Sequence, residues 1–231
     1  WNITDRSVIF HMKPEPQLKP EPRWVRRKDA RPEEITAAAL TLFVEKGYAN
    51  TRLEDVAAQA GVSKGTLYLY FANKQELFKA VVREGLVLPI AEIGGLIDQH
   101  EGKAFDLLSM ILRGWWQRIG STPVSGIPKL IVAEARNFPE IAEFYLAEVV
   151  QPGLDAMIRI IDKGIAAGEF RRVDARHVAQ LVFAPTLLVS CWCNSLAPFD
   201  PKGMEPMRVI DEHIEILRRG LACDPVQSGE A

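Results

Sequence analysis

Apolar residues in this chain recur at helical spacing almost throughout. Ile35, Ala38, Ala39, Leu42 and Phe43 fall at i, i+3, i+4, i+7 and i+8, which is one face of a helix. Pro32 suits the first turn of that helix and Gly47 its end. Leu53, Val56, Ala57 and Ala60 make a second, shorter stripe. Thr51 with Glu54 three residues on predicts a capping box at its start. Gly61 supplies a tight turn, Ser63 caps a third helix, and Asn73 with Glu76 caps a fourth. From Lys74 the pattern runs on through Leu77, Phe78, Val81, Val82 and Leu86 to Pro89, where a kink or break is expected. After Gly94-Gly95 further helices are predicted near 102–120, 127–137, 139–167, 174–196 and 203–221. Gly168 reads as a helix stop and Asp174 as a cap. No useful stretch alternates with period two and no internal repeat is present. The fold class is all-α, about nine helices. A small N-terminal unit precedes a larger C-terminal helical bundle.

Two helices joined by a glycine turn, with a third helix following at once, is the layout of a helix-turn-helix that sets one helix in the DNA major groove. Leu67 and Phe71, at i and i+4, fix the buried face of the third helix, so Lys64, Gly65, Thr66, Tyr68 and Tyr70 point outward with Leu69 at the margin. Hydroxyls and one cation on an exposed helix face can donate to base edges and phosphates. Lys74 at a helix start opposes the helix dipole, which makes sense beside a phosphate.

Charge sharpens this picture. Residues 12–79 carry 12 basic and 9 acidic side chains, and residues 80–231 carry 15 and 20. The densest basic block, Arg23 to Arg31, reads as a phosphate-binding arm directly ahead of the motif, although such a run alone is more often a solvated face. Residues 13–22 repeat proline every few positions and read as an extended or disordered leader. Trp1 to His11 reads as a vector-encoded leader, with Met12 as the natural start. The expected division is 1–31 leader and basic arm, 32–78 DNA-binding unit, 79–222 effector-binding and dimerisation unit, 223–231 flexible tail.

Other classes find little support. No apolar run reaches the ~18 residues of a membrane span, and Leu181 to Cys193 is interrupted by Pro185. Three cysteines, Cys191, Cys193 and Cys223, do not make a secreted disulfide framework. Cys191 and Cys193, two apart on a helix, do not share a face. Redox sensing stands behind a packing role for them. His11, His100, His177 and His213 lack metal-ligand spacing, so no metal and no cofactor is expected. No triad, paired-carboxylate or phosphate-loop motif suggests an enzyme.

The run Gly47-Tyr48-x-x-Thr51, Val56-Ala57, Gly61-Val62-Ser63-Lys64-Gly65-Thr66-Leu67-Tyr68-x-Tyr70-Phe71-x-Asn73-Lys74-x-x-Leu77 resembles the N-terminal domain of the TetR family of bacterial transcriptional regulators, over about residues 32–82. The stretch Leu130 to Gly153 resembles one subgroup's effector domain. The resemblance implies a cytoplasmic homodimeric repressor of a double-stranded DNA operator, released by a small molecule. Within it, Lys64, Gly65, Thr66, Tyr68 and Tyr70 lie on the recognition helix, and Thr51 and Lys74 hold phosphates. Arg52 departs from the family's usual Ser or Thr and adds a phosphate contact or leaves Thr51 as the cap. A family member without an effector, with an architectural or cell-cycle role, is the alternative.

Large or soft side chains on the middle helices are the candidate ligand pocket: Trp115, Trp116, Phe144, Met157, Phe183 and Trp192. Arg113, Gln117, Glu134 or Asn194 are candidates to orient an apolar or amphipathic ligand. Packing in the core is the competing reading for each. The dimer surface is expected on the last two long helices, through Val178, Leu181, Val182, Leu188 and Val189 on one and Ile210, Ile214 and Leu217 on the other. Pro89 is expected to mark the flexing point that passes ligand binding to the DNA-reading heads.

Overall fold

A computed structural model describes residues 32–223. The leader, the Arg23–Arg31 arm and the tail beyond residue 223 lie outside the described residues. Among the described residues the chain forms nine helical rods. They are α1 (Pro32–Lys46), α2 (Leu53–Gln59), α3 (Lys64–Tyr70) and a long α4 made of Lys74–Val82, Arg83–Val87 and Leu88–Gln99. Next come α5 (Ala104–Trp115 continued by Trp116–Gly120) and α6 (Gly126–Glu134). Last are α7 (Pro139–Tyr145, Leu146–Val150, Gln151–Ala166), α8 (Ala175–Cys193) and α9 (Pro206–Leu221).

Pro89 does not break α4. The five residues before the last segment, Arg83–Val87, form a wide π turn, and backbone angles stay helical on both sides of it. The same device recurs in α7, where the π turn Leu146–Val150 precedes Pro152. A proline lacks an N–H and its ring crowds the carbonyl four residues back. A π turn at that carbonyl shifts the register by one residue and relieves both problems. The rod therefore runs on through Gly94-Gly95 to Gln99.

Local capping follows the expected residues at three sites. Ser63 accepts from Thr66 N at 3.0 Å, Asn73 from Glu76 N at 2.9 Å and Asp174 from His177 N at 3.0 Å. Gly47, Gly61 and Gly168 take φ of +84°, +70° and +70°, which an L side chain resists. The capping box at Thr51 is not formed. Arg52 is the extended residue before α2, and it makes no side-chain cap.

The head, α1 to α3 with the start of α4, is not an independent bead. Its buried residues Phe43, Tyr48, Phe78 and Val82 belong to one apolar cluster that also contains Ile119, Ile127, Leu130, Ile141 and Phe144 from the body. A second cluster, centred on Leu107, Leu108, Met157, Ile160 and Val182, holds the rest of the body. Head and body touch closely at Gly126, where a Cβ would lie 2.6 Å from Val44 Cγ1. A glycine is required there because α1 passes so near the start of α6.

Candidate nucleic-acid interface

α3 is held down by Leu67, which is fully buried, and by Phe71 just beyond its end. Its outer face carries Lys64, Gly65, Tyr68, Leu69 and Tyr70, all exposed. Leu69 is 83% exposed, against 43% for Tyr68 and 48% for Tyr70. Lys64 forms an ion pair with Glu54 of α2, and its ammonium sits 5.7 Å from the Tyr68 ring centre. That pair holds the Glu54 carboxyl below the usual carboxylate range and the Lys64 ammonium above its own. Thr66 is half-buried, its hydroxyl 2.8 Å from that of Ser63, so it serves the cap. A Cβ on Gly65 would meet nothing closer than Ser63 Oγ at 3.7 Å, so nothing inside the protein demands glycine there. Arg52 is exposed at the start of α2.

Two expected phosphate ligands make hydrogen bonds within the protein. Thr51 is buried, with its hydroxyl 2.8 Å from the Gly47 carbonyl and 3.1 Å from that of Leu42. Its proton is shared between carbonyls in and just beyond the last turns of α1. Lys74 donates to the carbonyls of Tyr48 and Ala49 at 2.7 and 3.1 Å and lies 4.6 Å above the Tyr48 ring. Burial pushes its ammonium below the ordinary lysine value. Lys74 thus has a structural reason to begin α4.

The head is joined to the body by polar contacts that the sequence pattern did not reveal. Arg83 grips Glu148 through two hydrogen bonds of 2.9 and 2.8 Å. Thr36 donates to Glu84 at 2.6 Å. Glu134, at the end of α6, accepts from Ala49 N at 3.2 Å. The only hint in the sequence was that these charges fall beside apolar stripes, which holds for many solvated residues too.

The six candidate pocket residues do not all fall in one cluster. Trp116 and Met157 are packed in the body core, and Phe144 is buried in the cluster shared with the head, beneath Arg83 and Lys79. All three are buried side chains of the single chain. Helical spacing brought them inward, Trp116 and Met157 into one cluster and Phe144 into the other. Phe183 is half-buried near Gly153, and Trp192 is half-buried with its indole N–H unpartnered. Trp115 alone of the six lines an open apolar cleft of about 220 Å³ between α4 and α5, with Ile90, Ile93, Met110, Gly114 and Arg118. The proposed orienting groups are engaged elsewhere: Arg113 with Asp211, Glu134 with Ala49 N, Asn194 with Ser125 and Ser190. Gln117 is exposed and does not line the cleft.

The expected dimer residues also divide. Val182, Val189, Ile210, Ile214 and Leu217 are core of the single chain, because α8 and α9 pack on the body through them. Leu181 and Leu188 face outward, 64% and 56% exposed, with Leu187 beside them and Ile216 on α9. Burial pushes the thiols of Cys191 and Cys193 above the ordinary cysteine range.

A helix-turn-helix with an exposed third helix, on an all-helical body, defines a DNA-binding transcriptional regulator. Comparison with known proteins agrees. Residues 35–81 match the model of bacterial regulatory proteins of the tetR family, and residues 106–217 match the AefR-like transcriptional repressor C-terminal domain. The chain belongs to the TetR family. It is 29% identical over 148 residues to the HTH-type transcriptional regulator YfiR of Bacillus subtilis, covering 63% of this chain and 71% of that one. It is 26% identical over 165 residues to the fatty acid metabolism regulator protein of the same organism, covering 68% and 80%. The solved structure of the B. subtilis regulator FadR in complex with stearoyl-CoA shares the fold, with TM-score 0.61, 22% identity and coverage of 83% and 100%. Among the described residues no helix is long and apolar enough to cross a membrane.

Proposed function

We propose that this regulator is a ligand-responsive repressor that binds a palindromic operator as a homodimer and is released by a small apolar or amphipathic molecule. The exposed strip from Lys64 to Tyr70 carries the reading. Its tyrosine hydroxyls and the Lys64 ammonium suit phosphates and base edges, and bare Gly65 lets a sugar-phosphate backbone come close. Arg52 adds a cation at its flank. Thr51 and Lys74 act beneath the strip, shaping the turn instead of touching phosphate with their side chains. The outward leucines of α8, with Ile216 of α9, support pairing of two chains. Two heads about 34 Å apart then read adjacent major grooves.

For the effector, the α4–α5 cleft is the best supported site. Its walls are apolar, Arg118 stands at its edge in an ion pair with Glu92, and Pro89 lines it close to the π turn of α4. A molecule wedged there acts on the rod that carries both the head and the Arg83–Glu148 clasp. A relative named for fatty acid metabolism and a fold neighbour holding stearoyl-CoA favour an acyl-type ligand. The regulator works in the cytoplasm, where its operator is.

The test is operator binding by the full chain, on a duplex enriched from a random pool. Tyr68→Ala and Lys64→Ala weaken binding, and Lys64→Ala lowers the salt slope by about one. Acyl compounds release wild type but not a Gly114→Trp variant with its cleft filled. Unchanged binding in both α3 variants would sink the DNA reading. Operator binding indifferent to every ligand tried would favour the effector-free alternative.

A further inference from the structure

Leu69 is the most exposed large apolar side chain of α3, at 83%, and it stands between two half-covered tyrosines. Its neighbours on the strip have internal tasks: Lys64 pairs with Glu54, and Thr66 closes the cap with Ser63. Leu69 itself has no donor or acceptor, so a phosphate or a polar base edge offers it nothing. In the major groove one base feature is apolar, the C5 methyl of thymine. Leu67, two residues back, is fully buried, so the opposite side of this short helix is fixed and Leu69 cannot turn inward.

We infer that Leu69 is a specificity-determining residue that packs its isobutyl group against a thymine methyl in each operator half-site. This rests on α3 being the helix that enters the duplex. The contact removes two apolar surfaces from water at once and discriminates thymine from cytosine, which lacks the methyl. It supplies selectivity that the tyrosine hydroxyls, free to rotate among acceptors, do not.

The test uses the enriched operator with each thymine replaced in turn by deoxyuridine, which deletes only the methyl. With wild type, one position per half-site is expected to weaken binding about fourfold, the effect of one buried methyl-sized group. Leu69→Ala is expected to bind the parent duplex more weakly and to be indifferent to deoxyuridine at that position. Because Leu69 makes so little internal contact, the variant keeps its helical circular dichroism. Wild type insensitive to every replacement overturns the inference. So does a Leu69→Ala protein that keeps the wild-type sensitivity. Loss of binding in Tyr68→Ala in those cases would show that α3 still meets DNA and only the role of Leu69 is wrong.

Discussion

The ammonium of Lys74 donates to the main-chain carbonyl of Tyr48 at 2.7 Å and lies 4.6 Å above the ring of the same residue. One side chain at the start of α4 therefore secures the turn between α1 and α2, 26 residues earlier in the chain. The helix-turn-helix is thereby tied together by a cation whose position in sequence suggested a phosphate. Lys74→Met should cost about 1.5–3 kcal/mol of head stability, the usual worth of hydrogen bonds made by a charged group. Thermal denaturation reads it directly. An unchanged midpoint with a reduced salt slope of operator binding would instead assign Lys74 to the duplex.

Thr51 offers a cleaner separation of structure from binding. Thr51→Val keeps the shape and removes the hydroxyl that serves Gly47 O and Leu42 O. A loss of about 1 kcal/mol is expected in urea unfolding. Operator affinity of the folded protein should stay the same. A large affinity loss without a stability loss would return the hydroxyl to the phosphates.

The junction of head and body depends on the missing side chain of Gly126. Gly126→Ala places a methyl 2.6 Å from Val44 Cγ1 and 3.1 Å from Asn194 Oδ1. Overpacking of this kind costs about 1–3 kcal/mol. Val44→Ala in the same chain should recover part of that loss, as a double-mutant cycle would show. Additive losses would mean that the two helices part without strain.

Arg83 and Glu148 clasp α4 to α7 at the surface, so their worth is small, about 0.2–1 kcal/mol. The Arg83 guanidinium holds the Glu148 carboxyl below the usual carboxylate range. A carboxylate depressed in the folded state adds stability above its unfolded value, and the gain is lost as pH falls through the folded value. Glu148→Gln should therefore be less stable than wild type near neutral pH and equal to it in strong acid. Urea midpoints across that range check this, and a difference that persists in acid would contradict it.

Much of the helical layout was legible because its signals are local. Ser63, Asn73 and Asp174 cap helices through bonds spanning three residues, and Gly61 takes a turn that its lack of a side chain permits. Thr51 was misread for the same reason. The spacing to Glu54 is right for a capping box, but carbonyls at the end of α1 compete for the hydroxyl. Pro89 is a break by local rules, and a π turn just before it absorbs the defect without ending the rod.

The tertiary structure decided what each apolar stripe faces. Val182 and Leu181 are adjacent on α8, yet one is core and the other is open surface. Trp115 and Trp116 likewise part, one into the cleft and one into the core.

By itself the sequence determined the all-α class, the DNA-reading motif and which face of α3 is outward, since these follow from spacings of three and four residues along a helix. Only the folded chain decided the clasp between Arg83 and Glu148, the turn held by Lys74, the core role of Met157 and the open cleft beside Trp115. Those depend on which helix lies against which. Such pairings join residues up to 98 positions apart, as between Arg113 and Asp211, and helical periodicity records the direction of a face but not the identity of its neighbour.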